Sequence, residues 1–252
     1  MEHLTSGCNR SSRRGLIDLW NSELYEEADW TELDNPQVRS TAVRLPTAVI
    51  SWRDAKRIHK DSIARGERSY HVHAFIHCYI DDQKFAGERE GIWRRWRFFY
   101  EVASHFEGIL GVDFSTHADF PEPVKRIQFH KMRVIEHGAI QRGIPTIVNA
   151  RWGTRETWSY CFDGLPENSV LSIGVVGSGL TRLENRPVFD NGLRKLVEIK
   201  RPRSLVIVGS TNYPIFEEIR AGGVAVTQFD GDTCSYFKNG GKKYVYKGLR
   251  VR

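Results

Sequence analysis

Five short apolar runs recur along the chain, each ending in a small or polar cluster: residues 108–115, 146–149, 170–178, 205–210 and 224–230. Runs of this length suit strands buried on both faces, and amphipathic stretches between them predict βαβ units on a parallel sheet. Residues 46–52 read as an earlier strand and residues 72–80 as another, on which His71, His73 and His77 share one face because side chains alternate along a strand. Helices are expected at about 54–64, stopped by Gly66, and at 121–141, opened by Pro121 and Pro123 and stopped by Gly143. Two more are expected at 187–199 and at 214–221, the latter closed by Gly222 and Gly223.

A helix is also predicted over about 89–106, where Trp93, Trp96 and Tyr100 form one stripe flanked by Arg94, Arg95 and Arg97. Burial of the stripe against the sheet is one reading. A binding helix is the other, since Arg and Trp stack on bases and Arg contacts phosphate. The resulting fold is α/β with a mostly parallel, TIM-barrel-like sheet. Residues 1–40 form an irregular N-terminal arm, 41–232 the core domain, and 233–252 a basic β-hairpin turning at Asn239-Gly240, with Lys242, Lys243 and Tyr244 as candidate contacts.

Composition narrows the classes. With 37 Lys+Arg against 31 Asp+Glu the formal charge is +6, which allows nucleic acid or an acidic partner without demanding either. No apolar run approaches the roughly 20 residues that span a bilayer, and the polar start of the chain lacks the core of a secretory signal, so a cytoplasmic protein with no membrane partner is expected. The four cysteines lie far apart, without metal-ligand spacing.

Strand ends are where a parallel sheet gathers its functional groups. Projected together, they bring Asp81, Asp82 and Lys84 towards Asp113, Ser115, His117 and Asp119, with Asn149, Arg151 and Trp152 beside them. Gly177, Ser178, Gly209, Ser210, Thr211, Asn212, Asp230 and Asp232 complete the predicted rim. Asp113 is the leading candidate, because a carboxylate ending an apolar strand needs a partner or a task. Asp81, Asp113 and Asp230 could serve as acid and base or hold Mg²⁺, while capping and turn formation explain the same residues without chemistry. No cofactor is otherwise called for. P-loop, G-x-G-x-x-G, G-x-S-x-G and H-E-x-x-H patterns are absent.

Several ordered segments carry a resemblance: 73–85 with Asp81 and Asp82, 112–115 with Pro121, 143–148, and 160–164. Together they resemble an uncharacterised family, a domain of unknown function from phages, plasmids and integrative elements, over about residues 70–232. His77-Cys78-Tyr79 and Asn149-Ala150-Arg151-Trp152 depart from that family's usual strand-end pattern. The resemblance implies a mobile-element setting and no assigned reaction. The Arg- and Trp-rich composition also resembles that of actinophage proteins, and in size, charge and context the chain is similar to their large recombination directionality factors, which implies binding to a DNA-bound serine integrase, or another DNA-bound phage protein, with weak direct DNA contact. The competing expectation is a metal-dependent hydrolase or phosphoryl-transfer enzyme acting on nucleic acid or nucleotides at the rim.

Overall fold

A computed structural model describes residues 20–87, 91–232 and 234. Among these, seven parallel strands are hydrogen-bonded in strict chain order: β1 (Val49–Ser51), β2 (Val72–His77), β3 (Phe106–Leu110), β4 (Thr146–Asn149), β5 (Val170–Gly174), β6 (Ser204–Val208) and β7 (Ala225–Phe229). The helices between them are α1 (Trp52–Ala64), α2 (Trp96–Ala103), α3 (Glu122–Gln141), α4 (Trp158–Cys161), α5 (Arg186–Lys200) and α6 (Pro214–Ala221). Each crossover advances the sheet by one strand in the same direction, and right-handed crossovers then place the helices on one face. The sheet curls into a half-barrel.

Two apolar layers result. The larger lies between the convex face and the helices and includes Ile76, Ile109, Val148, Leu171 and Leu205 with Phe99, Met132, Leu193 and Phe216. The smaller fills the concave face with Phe75, Tyr79, Leu110, Ile147, Val206 and Val208. Residues on both layers explain why the strands read as unbroken apolar runs.

The two ends of the curled sheet approach each other at its C-terminal rim. Arg53, just after β1, places Nη2 3.1 Å from Oδ2 of Asp232, beyond β7. At the opposite edge Ser40 wedges between β4 and β5: its hydroxyl accepts from the Val148 N–H (3.0 Å) and donates to the Val170 carbonyl (2.6 Å). The described part of the arm is thus built into the domain. Leu24, in a short 3₁₀ turn, is buried, and Thr31 and Asn35 both donate to Asp163.

Most predicted elements match within a few residues, but the helix expected over 89–106 does not. α2 begins at Trp96, because residues 91–95 form a turn in which the Gly91 N–H donates to the Gly87 carbonyl (2.7 Å) and Ile92 returns to Phe85 (2.7 Å). Phe106 already belongs to β3, which ends at Leu110 rather than Asp113. The stripe is core. Trp96 and Tyr100 are buried, Trp93 is half-buried, and the arginines cover them: Arg97 and Arg142 lie over the Trp96 ring at 4.1 and 4.6 Å, and both pair with Glu23. Arg95 stacks on Phe98 at 4.7 Å, and Arg94 is exposed. A base could reach Trp96 only by displacing that cover. The predicted hairpin with Lys242, Lys243 and Tyr244 lies outside the described residues.

Candidate functional site

β4 ends in Asn149, a fully buried side chain at the middle of the rim. Its Nδ2 donates to the Val112 carbonyl (2.9 Å) and to Oδ1 of Asp113 (3.1 Å), which fixes Oδ1 as the acceptor facing the Tyr79 hydroxyl (3.1 Å). Tyr79 shares its proton with Ser172 Oγ (2.9 Å) on β5. One amide therefore locks the ends of β3, β4 and β5 and the loop after β2 together. Beneath it, Glu136 on α3 accepts from the Asn149 N–H (2.7 Å) and pairs with the buried Arg133, whose Nη2 donates to the Asn149 carbonyl (2.8 Å). Gly111 makes this approach possible, since a Cβ there would stand 1.8 Å from Glu136 Oε1.

Asp113 leans over this network and is 8% exposed. Its second oxygen accepts from Arg151 Nη1 (2.6 Å), while Arg151 Nε donates to Thr116 (3.0 Å). Both open onto a cleft of about 280 Å³ whose lining includes His117, Trp152, Ser178 and Phe189. Trp152 packs on Phe189 at 5.0 Å and over Gly192 of α5, where a Cβ would meet its ring at 2.1 Å. The opposite wall is the Gly177-Ser178-Gly179 turn, with both glycines at positive φ (81° and 75°). Ser178 spends its hydroxyl on the Val175 carbonyl (2.7 Å), so it holds the turn. Val188 on the wall is 44% exposed, giving the cleft an apolar lip beside Phe189.

Burial sets the protonation of the groups below the cleft. It raises the Tyr79 phenol well above its usual value, helped by the Asp113 charge, so Tyr79 remains a donor. Glu136 is pushed up to about 7 by desolvation, against the pull of Arg133 and the Asn149 N–H. His77, also buried, is held down at about 4 by desolvation, opposed by Asp232 and Asp54. Its Nδ1 faces the Tyr79 N–H (3.3 Å) as acceptor, leaving the proton on Nε2, 3.8 Å from Asp232 Oδ1.

The rim residues predicted from sequence fall into two sets. Asp113, His117, Arg151, Trp152, Gly177 and Ser178 share the cleft. Several others hold the loops: Asp82 accepts from the backbone and hydroxyl of Ser115 (3.1 and 2.9 Å), and Thr211 donates to Gln228 (2.5 Å). Asp81 faces solvent, paired with Lys84 at 2.7 Å, which keeps its carboxyl below the usual range. Asp230 accepts a weak bond from Cys234 (3.5 Å). Asp81, Asp113 and Asp230 do not form a group of donor atoms within 4.8 Å of one another among the described residues. Sequence reasoning missed Asn185 and Val188, which line the cleft, and the buried Arg133–Glu136 pair, because periodicity marks helix faces and not which charge faces a strand end.

Comparison with known proteins finds relatives of this chain among phage proteins. A family described as Domain of unknown function (DUF4417) matches residues 29–230. The "Gene 1 protein" of Mycobacterium phage L5 is 24% identical over 213 residues, 84% of this chain and 86% of its own length. The "Gene 1 protein" of Mycobacterium phage D29 is 24% identical over 203 residues, covering 81% of this chain and 70% of that one. No solved structure matches.

Proposed function

The chain belongs to this family of domains of unknown function, and from that premise we propose that it is a regulatory phage protein that acts by binding, with the rim cleft as its docking site. One observation carries the reading: Asp113, the carboxylate on the cleft wall, is committed to Arg151 and Asn149, while the same cleft presents the exposed side chain of Val188. A carboxylate whose two oxygens are already held by a guanidinium and an amide serves the shape of the wall, whereas an exposed apolar side chain at the lip suits docking. The most concrete partner is a DNA-bound serine integrase, which the protein would switch from integration to excision as a recombination directionality factor in the host cytoplasm. Switching requires it to bind the integrase–DNA arrangement that synapses attL and attR more tightly than the other. Support comes from the phage relatives, the +6 charge and the similarity in size to such factors.

The test is co-purification of the full-length protein with the integrase of the same genetic element on attL and attR DNA. Retention is expected, weakened at least tenfold by Val188→Asp at unchanged thermal stability; equal retention of the variant, or none of either, contradicts the reading. A metal-dependent hydrolase or phosphoryl-transfer reading, with Mg²⁺ as a possible ion, keeps one observation in its favour: Asp113 and His117 line the same cleft. Asp113→Asn separates the two, since binding would survive within a few-fold and carboxylate chemistry would not.

A further inference from the structure

At the opposite edge of the sheet from the cleft, three ligand-type side chains meet that the rim does not use. His71 precedes β2 and His73 lies in it; they alternate with Tyr70, Val72 and Ala74, which enter the helix-side core, so both histidines face the concave side. Val72 pairs with Phe106, which brings Glu107 of β3 beside His73. His73 Nδ1 lies 2.9 Å from Glu107 Oε1, the two imidazoles are 5.1 Å apart, and one donor atom from each of the three residues lies within 4.8 Å of the others. All three are half-buried, so a cation can reach them from solvent.

We propose that His71, His73 and Glu107 bind a zinc ion at the N-terminal edge of the sheet. Two imidazoles and one carboxylate are a borderline donor set that favours Zn²⁺ over Mg²⁺ or Ca²⁺, which take oxygen shells. Zinc–ligand bonds of about 2.0–2.2 Å in a tetrahedron put neighbouring donors about 3.4 Å apart, so small rotations of these half-buried side chains contract the site without moving the strands. The fourth position is left to water. The ion would rivet β2 to β3 where their register shifts between Val72 and Phe75, a place where backbone pairing alone is interrupted. Such a rivet, at the edge away from the cleft, stabilises the scaffold and leaves the rim unaltered.

Zinc binding to the metal-free full-length protein is measured by competition with a chromogenic zinc chelator, alongside the visible spectrum of the Co²⁺ form. The expected result is one high-affinity equivalent with tetrahedral Co²⁺ bands and a thermal midpoint raised by zinc. His73→Ala should weaken that equivalent at least tenfold and abolish its thermal shift, and Glu107→Gln, which preserves size and polarity, should do the same should the alanine variant fail to fold. Millimolar Mg²⁺ should not compete. Absence of the equivalent, or equal zinc affinity in wild type and both variants, overturns the proposal.

Discussion

At the scale of single residues, the rim depends on a small number of side chains that cannot be exchanged independently. Asp113 is nine-tenths buried and Arg151 is its charged partner, so Arg151→Ala leaves a desolvated carboxylate with only an amide donor. Because the pair is open to solvent on the Arg151 side, the cost falls below that of a fully enclosed pair: about 2 kcal/mol, read as a lower urea midpoint at unchanged slope. Gly111→Ala is harsher. A methyl group would meet the Glu136 carboxylate and the Asn149 N–H together, and a loss of about 3 kcal/mol is expected in the same measurement. Asp113 could be picked out in the sequence because it ends an apolar run. Its hydrogen-bond partners could not, since Asn149 and Arg151 meet it only through the parallel pairing of β3 with β4.

At the scale of elements, the strand ladder was legible because burial on both faces writes itself as an apolar run, and Pro and Gly punctuated α3 and α6. The start of α2 was not. Its apolar stripe extends back to Trp93, but the turn through Gly91 is made by backbone bonds to Gly87 and Phe85 that periodicity does not report. The same helix shows why Arg next to Trp is ambiguous: a guanidinium stacks on an indole equally well when covering the core and when bound to a base. At the cleft, α5 passes so close to Trp152 that only glycine fits at position 192. Gly192→Ala should expel Trp152 from the cleft wall, seen as greater acrylamide quenching of tryptophan fluorescence and at least tenfold weaker partner retention. A variant with unchanged quenching and retention would show that Trp152 is not part of the docking surface.

At the scale of the whole molecule, two buried groups pull stability in opposite directions with pH. His77 titrates at about 4 when folded against an ordinary 6.5, so folding loses stability as pH falls through that interval. Glu136 titrates at about 7 against 4.5, so its contribution is complete below 4.5 and is lost as pH rises through 7. Between pH 5 and 7 the two act in opposite directions, so wild-type stability should vary less with pH than either group alone would make it. His77→Gln keeps an acceptor for the Tyr79 N–H and removes one slope, so unfolding by urea should show that variant losing stability from pH 5 to 7 where the wild type stays flatter. An equally flat variant would mean that Glu136 stays ionised throughout. His77 also touches Asp232 in the contact that draws the two ends of the sheet together, an arrangement that no local pattern in the sequence announces.

The half-barrel thus holds its ends and its rim by buried polar contacts, and presents one apolar-lipped cleft where β3, β4 and β5 finish. No described helix is long and apolar enough to cross a membrane. The central claim, that this rim works by binding a DNA-bound recombinase, is tested most directly by reconstituted recombination between attL and attR with the purified integrase of the same element. Excision should appear only when the protein is added, persist with Asp113→Asn, and fall at least tenfold with Val188→Asp. Recombination between attL and attR that is unchanged by the protein would contradict the account.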